Sequence, residues 1–368
     1  MKISFIIGTR PELIKVAPII LELLNTEIPF DIVNTAQHKD LLEPYWNTFG
    51  IKPTHVLDLM VKGQTLTALT TRAVNQIQQY LDEQIKHPDI ILAQGDTTTV
   101  MAASMVSFYN SIKFAHLEAG LRSFDFKNPF PEEYNRKIAS ICAEYHFCPT
   151  ETSKQNLINE NIEEYKIHVV GNTVIDALNL VVKSKNFELT KFQNEKLNLV
   201  QHFEEVVLIT CHRRENQGDN LNQIINAIFD LTNIYKDTLF IWALHPNPNV
   251  GEVVKKSLLG DISNVLLVPP LEYLDLLKIL KLSFCVISDS GGIQEESPSF
   301  NTPVIILRET TERPEGVKIG ISFLTGPNRR QIIETFIKLK NQKIHIKSNP
   351  YGDGLSSGRI IEILRRNF

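Results

Sequence analysis

Short runs of consecutive apolar residues alternate along this chain with amphipathic stretches at helical spacing. Residues 3–8, 30–35, 90–93, 113–117, 145–148 and 168–170 form one series of predicted strands. Residues 206–211, 239–244, 265–268, 284–288 and 304–307 form a second. Within each run the apolar residues follow one another instead of alternating, which predicts strands covered on both faces, as in parallel sheets. Stretches 65–81, 220–235 and 273–282 read as helices between them. The strand–helix–strand order predicts an α/β fold of two Rossmann-like, doubly wound parallel-sheet domains. Gly171-Asn172-Thr173 closes the first series and a polar stretch, 183–201, precedes the second. The hinge is therefore expected near residue 170, with domains at 1–170 and 171–357.

Length agrees with two domains, since 368 residues exceed the roughly 250–300 at which a single core stops growing. With 43% hydrophobic and 22% charged residues, a largely disordered or fibrous chain is excluded. Lys plus Arg total 38 and Asp plus Glu total 42, a net charge of −4. No nucleic-acid partner is expected from that balance, and any anion site must be built locally. Cys142, Cys148, Cys211 and Cys285 match no zinc or redox spacing and read as small core residues, which fits a reducing cytoplasm. No apolar stretch approaches the ~20 residues of a membrane helix. Residues 3–7 are broken by Gly8-Thr9-Arg10-Pro11, so they read as a buried first strand and not as an export signal.

In such sheets ligands bind beyond the carboxyl ends of the strands, and polar residues cluster at those points. Thr9-Arg10-Pro11-Glu12 with Lys15 follows the first strand, Gln94-Gly95-Asp96 the third and Glu118-Ala119-Gly120 the fourth. A loop then carries Pro131-Glu132-Glu133; in the second half come His212-Arg213-Arg214 and Asp289-Ser290-Gly291-Gly292. Two glycines at a strand-to-helix turn admit a ligand close to the backbone, and helix-start N–H groups favour a phosphate or diphosphate. The bland alternative is an ordinary turn with Asp289 or Ser290 as N-cap. No Gly-Lys-Ser/Thr follows, so this is not a P-loop. Glu296, further along the same helix, suits ribose hydroxyls. Arg10 and Lys15 at a helix start favour an anion that neutralises them. Asp96, Glu118, Glu132 and Glu133 suit proton removal and return, although each alone also reads as a cap or first-turn charge. His212 fits an acid, a base or a phosphate partner, and His245 raises the same question more weakly. No cluster has metal-ligand spacing, so neither metal nor cofactor is expected.

Ten ordered motifs then carry a family resemblance: GTRPE 8–12, TAQH 35–38, QGDTTT 94–99, HLEAGLRS 116–123, PEE-x-NR 131–136, PTETS 149–153, GNTVIDAL 171–178, HRREN 212–216, DSGGIQEE 289–296 and TTERPE 310–315. The chain resembles the non-hydrolysing UDP-N-acetylglucosamine 2-epimerases of bacteria. The resemblance implies a glycosyltransferase-B-like fold with an interdomain cleft and a final helix, 358–368, crossing back to the first domain. It further implies a cytoplasmic homodimer acting on a UDP-sugar for surface polysaccharide. The implied reaction removes the C2 proton as UDP leaves C1, giving 2-acetamidoglucal, and reverses this from the other face. Asp96, Glu118, Glu132 and His212 match the family's catalytic positions. Arg10, His212, Ser290, Gly291 and Gly292 match its diphosphate cradle, and Glu296 its ribose anchor. Lys15, Glu133 and Arg313 are further substrate candidates. Gln37, Arg72, Glu132, Arg213 and His245 match a second, activating substrate site, where Asp40 is a departure from the glutamine that activated members can carry. Segment 123–133 also departs from the usual linker. Alternatives are a hydrolysing relative, an epimerase for a diacetamido or uronate sugar, a transferase of the same fold, and a non-catalytic UDP-sugar binder.

Overall fold

The computed structural model describes residues 1–36, 39–61, 63–184, 187–245, 247–342 and 344–367. The chain divides into two compact units, Met1–Leu180 with Tyr351–Phe368, and Val181–Pro350.

The first unit holds a parallel sheet of β1 (Ile3–Ile7), β2 (Phe30–Asn34), β3 (His55–Val56), β4 (Ile90–Gln94), β5 (Lys113–Leu117), β6 (Tyr145–Cys148) and β7 (Ile167–Val169). Their spatial order is β3-β2-β1-β4-β5-β6-β7, the reversal beside the first strand that defines a doubly wound sheet. The central strands β1 and β4 are buried at every position, as their unbroken apolar runs require. Helices Leu66–Asp82, Thr98–Tyr109 and Glu132–Cys142 cover the sheet; Ile77, Tyr80, Val100 and Ala139 are among the side chains that complete the core.

The second unit repeats the design with β8 (Glu205–Cys211), β9 (Thr238–Leu244), β10 (Val265–Val268), β11 (Ser283–Ser288), β12 (Val304–Ile306) and β13 (Ser322–Leu324). The order is β10-β9-β8-β11-β12-β13, all parallel. Its core gathers Trp242, Phe240, Ile228 and Phe336. Cys148, Cys211 and Cys285 are buried, and Cys142 is half-buried; all four are free thiols.

Two differences from the sequence reading have physical causes. The short strands β3 and β13 are absent from it, because edge strands of two or three residues, with Val56 and Leu324 facing solvent, leave no apolar run to recognise. The division also falls at residue 180, not near 170, and the first unit regains the chain at 351, before the expected 358. The segment after Gly171 is tied to the first sheet and to the returning chain. Asn172 donates its backbone N–H to the Tyr351 carbonyl at 2.7 Å, and Asp176 accepts the Ser357 N–H at 2.8 Å. Helix Ser356–Arg366 packs on helix Arg10–Leu23.

Candidate active site

In the first unit the carboxyl ends of β1, β4 and β5 assemble a polar cluster. Glu118 leaves β5 with φ +59, a left-handed backbone that a non-glycine side chain adopts at a cost of about 1–3 kcal/mol. No helix begins there, so the helix-start explanation of this charge is removed. Its buried carboxylate accepts from Lys15 Nζ at 2.5 Å, from Asn172 Nδ2 at 2.7 Å and from Gln94 Nε2. Thus β1's helix, β4 and the segment after β7 all orient one group. Gly95 supplies the sharp turn, with φ +85.

Asp96 is not a helix cap. Thr97 takes that place, accepting the Val100 N–H at 3.3 Å, which leaves Asp96 partly open. Arg136 Nη2 binds its carboxylate, and Asn135 Nδ2 donates to its carbonyl at 2.9 Å. Arg136 reaches Glu133 as well, at 3.3 Å. Glu133 is fully buried and accepts the N–H groups of Ser123 at 3.0 Å and Phe124 at 3.2 Å. Its work is therefore to fix the loop ahead of helix Glu132–Cys142, not to face a substrate. Glu132 opens that helix, where the dipole favours an acid. Phe124, Phe126 and Phe130 project from the loop into solvent.

Arg10 starts helix Arg10–Leu23 and donates to the Tyr45 hydroxyl at 3.2 Å. Glu12 folds back under the same turn, accepting from the Gly8 N–H at 2.5 Å and the Thr9 N–H at 3.1 Å. Burial outweighs those donors and pushes its pKa up to about 7.

In the second unit Asp289 is the organising residue. Its Oδ2 accepts from the backbone N–H of His212 at 2.9 Å and of Arg213 at 2.8 Å, and from Asn216 Nδ2 at 2.9 Å. Its Oδ1 meets His212 Nδ1 at 2.9 Å. Burial works to raise its pKa, but the His212 hydrogen bond and charge and the remaining donors hold it well below the usual carboxylate range. Engaged through Nδ1, His212 turns Nε2 outward, and its side chain is 35% exposed. His245 stacks on it with ring centroids 5.5 Å apart.

Ser290 precedes helix Gly291–Glu296 without a side-chain capping bond. Arg313 crowds Gly291: a Cβ there would lie 2.5 Å from the Arg313 Cζ, so the guanidinium would have to shift. Arg313 is itself held by Glu295 at 2.6 Å, so it backs the glycine turn. Glu296 is buried on the same helix, and a Cβ at Gly292 would meet only Ser290 Oγ, at 4.0 Å.

The sequence profile of the UDP-N-acetylglucosamine 2-epimerase family matches residues 22–365. The chain belongs to that family. It is 41% identical over 374 residues to the UDP-N-acetylglucosamine 2-epimerase of Neisseria meningitidis, covering 100% of both chains. Against the Escherichia coli K12 enzyme of that name identity is 40%, over 100% of this chain and 99% of the other. The crystal structure of the Neisseria meningitidis UDP-GlcNAc 2-epimerase bound to UDP-GlcNAc superposes with a TM-score of 0.94 at 40% identity, over 100% of each chain. The Methanocaldococcus jannaschii enzyme, in complex with UDP-GlcNAc and UDP, gives 0.88 at 35%, again over 100% of each. A glycosyltransferase at 10% identity and a TM-score of 0.61, covering 99% of this chain and 94% of its own, shares the fold alone. The two-domain, glycosyltransferase-B-like class expected from the motifs is thereby established.

Within this epimerase-family chain, Lys15 and Glu118 are brought into contact, and Asp96 is joined to Glu133 through Arg136. His212 and His245 meet, and the Arg313 side chain lies against the Ser290–Gly291 turn. Arg72 instead serves its own unit, donating to the Leu59 carbonyl at 2.9 Å and to Gln64. Among the described residues the buried Arg213 Nε has no hydrogen-bond partner. Gln37 and the Asp40 side chain lie outside the described residues. Gln94, Asn172, Arg136 and Asp289 complete the clusters, and the sequence alone gives none of them a site role. All four stand inside the quoted motifs, yet only the tertiary contacts reveal what each one holds. Among the described residues no group of three or more His, Cys, Asp or Glu is placed to hold a metal ion, and no helix is long and apolar enough to cross a membrane.

Proposed function

We propose that this chain interconverts UDP-GlcNAc and UDP-ManNAc by C2 epimerisation without net hydrolysis. A first-unit carboxylate takes the C2 proton, and the C1–O bond breaks with its electron pair passing to the UDP β-phosphate. The products are 2-acetamidoglucal and UDP. A second carboxylate returns a proton to the opposite face of C2, and UDP re-adds at C1. Asp96, Glu118 and Glu132 are the acid–base candidates; His212 and the Ser290–Gly292 turn are the diphosphate candidates of the second unit, and Arg10 is the anion-binding candidate of the first. The C2 proton is weakly acidic, so stabilising the departing UDP supplies much of the rate.

The observation that carries this reading is the pairing of Asp96 with Arg136 and of Glu118 with Lys15 on neighbouring strand ends. Two carboxylates held by separate cationic anchors suit a reaction that needs a proton handled on each face. The whole-length similarity to named epimerases supports the same substrate. A homodimer in the cytoplasm, making ManNAc nucleotide for surface polysaccharide, belongs to the same proposal.

Proton NMR of the protein with UDP-GlcNAc in heavy water tests it. Growth of UDP-ManNAc carrying deuterium at C2 is expected. Free ManNAc plus UDP would replace this reading with the hydrolysing one. Inertness toward UDP-GlcNAc with retained UDP binding would move the substrate to a modified UDP-sugar.

A further inference from the structure

His116 lies on β5, two residues before Glu118, and is wholly buried. The residues around it in the strand, Phe114, Ala115 and Leu117, are apolar core, where an imidazole is costly to desolvate without a purpose. Its one hydrogen bond among the described residues runs from Nε2 to the Gly95 carbonyl at 2.7 Å. A carbonyl only accepts, so Nε2 carries the hydrogen. Nδ1 is then the ring's acceptor, and among the described residues it is buried with no partner. Burial, with lesser contributions from Arg122 and Arg136, lowers the His116 pKa to about 4, so the ring stays neutral and keeps this tautomer near pH 7.

The carbonyl it serves sits at the turn between the two first-unit clusters. Gly95, with φ +85, donates its own N–H to the Leu117 carbonyl at 3.0 Å. On one side of it Gln94 binds Glu118; on the other Asp96 meets Arg136. Both peptide groups of the turn are thus pinned to β5, the carbonyl through the His116 side chain.

We propose that His116 is the positioning residue for this turn: its Nε2–H, given to the Gly95 carbonyl, sets the aim of both Gln94 and Asp96 in C2 proton transfer. The reaction named here rests on the function proposed above; the geometry of the turn does not.

The test compares His116→Phe, which fills the space without a donor, with His116→Gln, whose terminal amide N–H can occupy the place of Nε2–H. Three quantities are read: the rate of C2 deuterium exchange in UDP-GlcNAc, UDP affinity by calorimetry, and amide hydrogen exchange over residues 94–97. His116→Phe is expected to slow kcat at least tenfold with UDP affinity within twofold and faster amide exchange in the turn. His116→Gln is expected to restore most of both losses. Equal damage in the two variants, or full turnover in His116→Phe, would overturn the inference and leave His116 as packing. If the unmodified protein exchanges no C2 proton, the function proposed above falls, and the amide-exchange contrast alone then decides whether His116 holds the turn.

Discussion

His212 Nδ1 lies 2.9 Å from Asp289 Oδ1, and the same carboxylate receives the His212 backbone N–H at 2.9 Å. Ring and main chain are thus held by one buried anion, which fixes where Nε2 points. Asp289→Asn is expected to lower turnover more than tenfold, equivalent to about 1.4 kcal/mol or more in the barrier. Steady-state kinetics, with nitrogen-15 NMR of the imidazole, check this. Unchanged kinetics together with an unchanged Nδ1–H signal would dissolve the pair as a functional unit.

The first-unit carboxylates are separable from nucleotide binding. Asp96→Asn, Glu118→Gln and Glu132→Gln should each cut turnover by more than tenfold while calorimetric UDP affinity stays similar. Wild-type rates in all three variants would refute their assignment.

Gly291 has no room for a methyl group, because Arg313 Cζ would stand 2.5 Å from it. Arg313 cannot swing aside without breaking its 2.6 Å ion pair with Glu295. Gly291→Ala should therefore distort the glycine turn and weaken UDP binding by about tenfold, some 1.4 kcal/mol. The double variant with Arg313→Ala should recover part of that loss. Full affinity in Gly291→Ala would show that the turn does not bind the diphosphate.

Stability should fall in acid. Burial lowers the pKa of His116 to about 4 and of His146 to about 3. Below about pH 6.5 the unfolded chain therefore takes up two protons that the native state refuses, so stability drops as pH falls from 6.5 toward 4. Glu12, raised to about 7, acts in the opposite sense: its native state holds a proton that the unfolded chain has released above about pH 4.5. Two protons against one leave a net acid loss. Urea unfolding at pH 7 and pH 5 should show it. His146→Phe should shrink the difference and Glu12→Gln enlarge it; the reverse order would contradict these assignments.

The strands were legible because a parallel sheet buries both faces and so writes unbroken apolar runs, as in Ile3–Ile7 and Glu205–Cys211. Edge strands such as His55–Val56 carry no such mark. Candidate site residues were legible where they follow a strand directly. Their partners were not, since Arg136 finds Asp96 from 40 residues away and Asn172 reaches Glu118 across 54. From sequence Asp289 reads as an N-cap alternative; its burial and the three donors on its Oδ2 give it another task. Glu133 was read as facing a substrate, but the Ser123 and Phe124 amides claim it.

Residues 351–368 complete the first unit although they follow the whole of the second in the chain. During synthesis the second unit emerges in full while the first still lacks Ile360, Ile361 and Leu364, which the finished fold buries. Domains generally fold as the ribosome releases them, so the second unit can mature first despite its later start. The helix Arg10–Leu23 meanwhile waits, with part of its apolar surface uncovered, for a partner made some 330 residues later. Nascent chains stalled before residue 351 should accordingly engage a chaperone through their amino-terminal half.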